Sequence, residues 1–159
     1  MPYSNNILIY IQGEESYVPY IKADTGGVLT GGYGHTGADV NALGAGAPVS
    51  TELAISWLNA DAKKANDTVN RLATAAGISL NQNQEDALTD FEFNTGALSE
   101  NETLWGLIVG GSSESDITSW WENHYITDKA GNRLPGLVTR RQYEASLYFT
   151  PVSFLKKKS

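Results

Sequence analysis

Gly13-Glu-Glu-Ser-Tyr-Val-Pro-Tyr-Ile-Lys-Ala-Asp-Thr-Gly-Gly-Val-Leu-Thr-Gly-Gly-Tyr-Gly-His-Thr-Gly37 is the stretch on which the reading of this chain turns. Within it, Val18 to Ala23 and Val28 to Tyr33 are strand-compatible runs, separated by Asp24-Thr-Gly-Gly27. Asp followed by Thr-Gly-Gly supplies the positive φ angles that a tight reversal needs, so the spacing predicts a β-hairpin. Residues 12–50 hold nine of the sixteen glycines and two of the five prolines. The whole of that region is predicted to be turn-rich, with short strands.

Upstream, the segment Asn5 to Glu15 contains five consecutive apolar residues, Ile7 to Ile11. Such a run fits a buried strand or a buried helix, and periodicity does not arbitrate between them. Downstream of Pro48 the texture turns helical. Thr51 to Ala76 carries Leu53, Ala54, Trp57, Leu58, Ala65, Val69 and Leu72 at roughly helical spacing, with Ser50 as a cap and Gly77 as a stop. Asn81 and Gln84 have the spacing of a capping box, opening a helix that ends near Gly96. Glu102 to Val109 and Asp116 to Tyr125 read as short helices capped by Asn101 and Ser115. Val138 to Phe149 reads as the last helix, stopped by Pro151. The fold class is α+β, predominantly α, with a small β-containing lobe near the N-terminus.

A chain of 159 residues is long enough to bury one substantial core. Eighteen acidic against eleven basic residues give a net charge of −7. A protein that tracks nucleic-acid phosphates carries the opposite balance, so nucleic acid is not expected as a partner. There is no cysteine, which removes disulfides and thiolate chemistry, and the two histidines, His35 and His124, lack ligand-like spacing, so no metal is expected. The five-residue apolar run falls far short of a membrane span, and neither a signal peptide nor stable membrane insertion is expected. The basic end Leu155-Lys-Lys-Lys-Ser159 closes a tail over 151–159 and reads as a solvated terminus.

Glu15, Asp24 and Thr30 have the types and order that cleavage of a glycosidic bond calls for. One carboxylic acid protonates the leaving oxygen, and a carboxylate with a hydroxyl can hold the attacking water. In a chain with eighteen acidic residues such a pair also arises by chance, so spacing alone leaves a purely structural role open. His35 suits a hydrogen-bonded packing role. Trp57, Trp105, Trp120 and Trp121 suit core packing, with sugar stacking as the alternative.

The opening stretch, Gly13 to Gly37, resembles the catalytic segment of the phage-type lysozymes (endolysins, glycoside hydrolase family 24). Leu80 to Gly96 resembles that family's central helix, and Leu134 to Tyr148 its closing helix, in the same order. The resemblance implies a two-lobed lysozyme-like domain over 1–150. It would have a β-containing lobe at about 13–50, a connecting helix at about 51–76, a helical lobe at about 77–150, and the cleft between the lobes. It implies a monomeric muramidase that cleaves the β-1,4 bond between N-acetylmuramic acid and N-acetylglucosamine in bacterial peptidoglycan without a cofactor. Glu15 would be the general acid, with Asp24 and Thr30 holding water for an inverting displacement. Glu14 is the alternative acid, because aligning on Ser16 to Tyr20 shifts the segment. If Glu15 is the acid, Glu14 becomes a structural partner for an arginine of the closing helix. Asn94 would contact the sugar or steady the acid, and Arg140 would support it. Of Arg140 and Arg141, adjacent on one helix, one would face Glu14 or Glu15 and the other solvent. As a phage endolysin, the protein would wait in the host cytoplasm, leave through a separate holin and act in the periplasm. A non-catalytic cell-wall-binding module and a secreted effector remain as other readings.

Overall fold

The structure, a computed structural model, describes residues 1–152. The basic tip Lys156 to Lys158 lies outside the described residues. The chain divides into two compact units, one of residues 5–64 and one of residues 1–4 together with 65 onward.

In the first unit, α1 (Asn5–Glu14) settles the ambiguous apolar run as a helix that buries Ile7 and Ile11, four residues apart on one face. The hairpin follows, with β1 (Val18–Ala23) antiparallel to β2 (Leu29–Gly32). Lys22 pairs with Thr30 and Ala23 with Leu29, and a bulge lies between Val18 and Lys22. Pro19 falls in that bulge, where a missing N–H disturbs no ladder bond. The bulged stretch pairs instead with residues 46–49: Val49 N–H donates to the Pro19 carbonyl (2.7 Å) and Ile21 N–H to that of Ala47 (2.9 Å). The short helix α2 (Ala38–Leu43) has too few residues to show a period, so no pattern announces it. Its Val40 joins Ile21, Val49, Ala54 and Trp57 in a small core. Gly32 has φ +61°, and a Cβ there would stand 3.1 Å from that of Ala54, so only glycine lets β2 lie this close to the next helix.

That helix is α3 (Thr51–Ala76), about 39 Å long at the usual rise. The Ser50 hydroxyl accepts the Leu53 N–H at 3.1 Å, and Gly77, at φ +68°, ends it. The boundary between the units falls within α3, after Lys64.

The second unit holds α4 (Gln82–Thr95), α5 (Thr103–Val109), α6 (Glu114–Glu122) and α7 (Pro135–Tyr148). The Asn81–Gln84 capping box opens α4, and Gly96, left-handed at φ 63°, closes it. Two expected caps move by two residues or fewer. The cap of α5 is Glu102 rather than Asn101, and that of α6 is Ser113, whose hydroxyl accepts the Asp116 N–H, rather than Ser115. Several serines here could serve locally; the choice falls to the one that brings Ile117 and Trp121, four residues apart, to the core. Helix α6 ends at Glu122, before Tyr125. Helix α7 begins at Pro135, three residues earlier than expected, because proline with its fixed φ suits the first helical position. Leu72, Leu88, Phe91, Leu104, Trp105 and Trp121 form the centre of a larger core.

Candidate active site

Helix α1 ends at Glu14, so the two glutamates meet different surroundings. Glu14 is exposed, and its carboxylate accepts the hydroxyl of Tyr10 at 2.7 Å, one turn back. Glu15 is the first residue past the helix and half-buried, its N–H still donating to the Ile11 carbonyl. Its carboxylate lies over Gly34: a Cβ there would sit 3.3 Å from Glu15 Oε2. Gly34 has φ +79°, which a side chain would resist in any case.

Asp24 is exposed at the hairpin turn. Its Oδ1 accepts the N–H groups of Gly26 (2.8 Å) and Val28 (2.9 Å), which fixes the side chain. Its Oδ2 makes no hydrogen bond among the described residues, leaving an acceptor facing solvent. Thr30, half-buried on β2, donates weakly to the Val28 carbonyl at 3.3 Å and keeps its oxygen lone pairs for another donor. Glu15, Asp24 and Thr30 all belong to the same compact unit, with Thr30 four residues before the glycine that Glu15 overlies.

His35 holds the loop after β2. Its ring stacks on Trp57 at 4.7 Å, with Nδ1 2.7 Å from Asp61 and Nε2 2.9 Å from Asp39. Burial pulls its pKa down, but the hydrogen bonds and charges of the two carboxylates outweigh this and raise it above the ordinary value of 6.5. Asp39 is correspondingly lowered, chiefly by its bond to His35. No cluster of three or more side chains able to hold a metal ion is present among the described residues.

The remaining sequence candidates belong to the helical unit. Arg140 is buried and donates twice to buried Asp90, through Nε (3.1 Å) and Nη2 (2.8 Å). Arg141 is fully buried. Its Nη2 donates to Glu144 Oε2 (3.1 Å) and to Asn94 Oδ1 (2.7 Å), and its Nε lies 2.9 Å from Glu144 Oε1. The expectation that one of these arginines faces solvent is therefore corrected. The two helix faces they occupy both meet carboxylates, Asp90 from α4 and Glu144 from α7 itself. Burial and the neighbouring Asp90 push the pKa of Glu144 well up, against the pull of Arg141 and the Trp121 indole N–H. Sequence reasoning passed over Asp90 and Glu144. The signal was present: Glu144 follows Arg140 by four residues and Arg141 by three, the spacing of neighbours on a helix.

Trp105 and Trp121 are core residues, as is Trp57 in the other unit, and Trp120 is partly buried beneath a stacked His124, 3.9 Å between ring centres.

Residues 12–144 match a family model described as phage lysozyme. The endolysin of Salmonella phage P22 is 29% identical over 154 residues, covering 94% of this chain and 99% of that protein. The endolysin of Acyrthosiphon pisum secondary endosymbiont phage 1 is 33% identical over 125 residues, covering 77% and 80%. Among solved structures, the muramidase domain of SpmX from Asticaccaulis excentricus superposes with a TM-score of 0.77 at 28% identity, covering 93% of this chain and 97% of that one. The endolysin from Escherichia coli O157:H7 phage FAHEc1 gives 0.74 at 26% identity, covering 96% of each.

Proposed function

The chain belongs to the phage lysozyme family, and on that premise we propose that it is a muramidase, hydrolysing the β-1,4 bond between N-acetylmuramic acid and N-acetylglucosamine of bacterial peptidoglycan. Glu15 donates its proton to the glycosidic oxygen as the bond to C1 breaks. Asp24 takes a proton from a water that Thr30 helps to orient, and that water attacks C1 from the opposite face, inverting it. Such a displacement needs carboxyl groups about 6.5–9.5 Å apart, with room for the water.

The observation that carries this reading is the contrast between the two glutamates beside the hairpin. Glu15 is half-buried over Gly34, in the unit that also holds Asp24 with an unoccupied Oδ2, whereas Glu14 is exposed and engaged with Tyr10. The two carboxyls of an inverting pair take different parts, and Glu15 and Asp24 stand in different surroundings. The endolysin relatives support a role in host lysis, and the proposal includes a monomeric enzyme released from the cytoplasm by a separate holin and acting in the periplasm.

Product analysis on purified peptidoglycan tests the reading with wild type, Glu15→Gln and Glu14→Gln. Wild type is expected to release muropeptides with reducing N-acetylmuramic acid ends in the inverted configuration, and Glu15→Gln to release none. Loss in Glu14→Gln alone would move the acid to Glu14. Binding to the sacculus without release by wild type would favour a non-catalytic wall-binding module.

A further inference from the structure

Glu15 stands one residue past the end of α1, and helix ends fray. Its carboxyl nonetheless lies over Gly34, in the loop that follows β2. Holding an acid in that place calls for a tie between the end of α1 and the loop.

The loop is closed at its base. Gly31 and His35 exchange backbone bonds, each N–H donating to the other's carbonyl at 3.0 and 2.9 Å, with Tyr33 midway between them. His35 is anchored in turn by Asp61, Asp39 and the Trp57 ring. Half-buried Tyr33 packs against the small core around Ile21 and Trp57. Its hydroxyl leaves that core and accepts the side-chain N–H of Gln12 at 3.0 Å.

Gln12 lies in the last turn of α1, three residues before Glu15, the spacing of neighbours on a helix. The Glu15 N–H still donates to the Ile11 carbonyl at 2.9 Å, so the helical path runs on through Glu15 and keeps the two side by side. From beyond the acid, Tyr17 sets its ring 5.6 Å from that of Tyr33, 37° between planes, and its hydroxyl donates to the Val49 carbonyl. Residues on both sides of Glu15 thus close on one phenol. That phenol is next in the chain to the glycine beneath the carboxyl. Packing against the core accounts for the Tyr33 ring; it does not account for a hydroxyl aimed at the helix that ends at the acid.

We propose that Tyr33 and Gln12 are positioning residues for Glu15. Their hydrogen bond, backed by Tyr17, registers the end of α1 against the Gly34 loop and so sets where the acid stands relative to Asp24 and Thr30. This rests on the muramidase reading and deepens it by naming what holds the acid in place. Neither side chain moves a proton in the reaction; each acts through Glu15. A displacement of about 1 Å costs a reacting group up to about 10²-fold in rate, so one ordinary hydrogen bond weighs far more on turnover than on folding.

The test compares two substrates. Soluble glycan chains from purified peptidoglycan lose a sugar oxygen that needs the acid's proton. The same repeat ending in a dinitrophenyl glycoside of N-acetylmuramic acid loses a phenolate that departs without one. Tyr33→Phe removes the hydroxyl and keeps the ring, and Gln12→Met keeps the length and removes the amide. On glycan chains each is expected to lower kcat by roughly tenfold, with KM and melting temperature close to wild type. The double variant should fall no further than either single one, because both break the same bond. On the dinitrophenyl glycoside both deficits should vanish, as most of the Glu15→Gln deficit should. Wild-type kcat on glycan chains in either variant, additive losses in the double variant, or equal losses on both substrates would overturn the positioning role and leave the muramidase reading intact. Wild type that cleaves neither substrate would instead overturn the muramidase reading, and the positioning role with it.

Discussion

In residues 5–64 the acidic side chains stay in contact with water, Asp24 and Asp39 exposed and Glu15 half-buried, over a core built mainly from Ile21, Val40, Val49, Ala54 and Trp57. The helical unit does the reverse: it buries Glu85, Asp86, Asp90 and Glu144 together with Arg140 and Arg141, within or beside a much larger apolar cluster. Eighteen acidic residues are thus put to two physical uses. A carboxylate at the surface can exchange its proton and meet a ligand at little cost to folding. One buried against a guanidinium is fixed, and its loss is felt as stability. On the proposed function, chemistry falls to the thinly packed unit and rigidity to the thickly packed one.

The sharpest way to break that assignment is Glu15→Gln. The turnover rate should fall by about 10²- to 10⁴-fold, the usual worth of a general acid, while thermal unfolding moves by no more than about 0.5 kcal/mol. A variant that lost stability instead would give Glu15 the role assigned to the other unit. Arg140→Met should show the opposite profile. Leaving Asp90 buried without its partner is expected to cost about 3–5 kcal/mol in urea unfolding. Gly34→Ala tests the hairpin unit at the point where backbone and carboxylate meet. Its φ of +79° and the 3.3 Å approach to Glu15 Oε2 should cost about 1–2 kcal/mol and lower the rate in the same variant.

The smallest effect is read as a slope. His35 has a raised pKa when folded, so its contribution is complete below about pH 6.5 and is lost as pH rises through the higher folded value. Asp39, lowered, contributes above about pH 3.8 and loses that contribution as pH falls through its folded value. Stability curves of wild type and His35→Gln should therefore converge as pH rises past neutrality and separate between those limits. Parallel curves across that range would remove His35 from the account.

What could be read from sequence was local. The Ser50 cap, the Asn81–Gln84 capping box and the Asp24 turn each depend on residues within four positions of one another, and each stands where the sequence put it. The α+β class followed from the same signals. The short helix α2 escaped because six residues show no period, and the start of α7 because a proline stops a helix as readily as it opens one. The burial of Arg140 and Arg141 escaped for a different reason: their partner Asp90 lies fifty residues earlier, and only tertiary packing brings it there. For the candidate site, residue types and order were legible at Glu15, Asp24 and Thr30. The unequal burial of Glu14 and Glu15 was not, because it depends on where α1 stops and on the glycine that receives the second carboxylate.

Ser4 belongs to a unit whose chain resumes only at residue 65, and both its N–H and its hydroxyl end on Asp86. That strap closes a span of 82 residues. As the chain leaves the ribosome, all of residues 5–64 emerge before the anchor exists, so the intervening unit can organise first and the strap must wait. Closing so long a loop costs about 4 kcal/mol of chain entropy before any contact offsets it. The first four residues should therefore be late to dock and early to open, and amide exchange at Ser4 should run well ahead of that at Leu88 or Phe91.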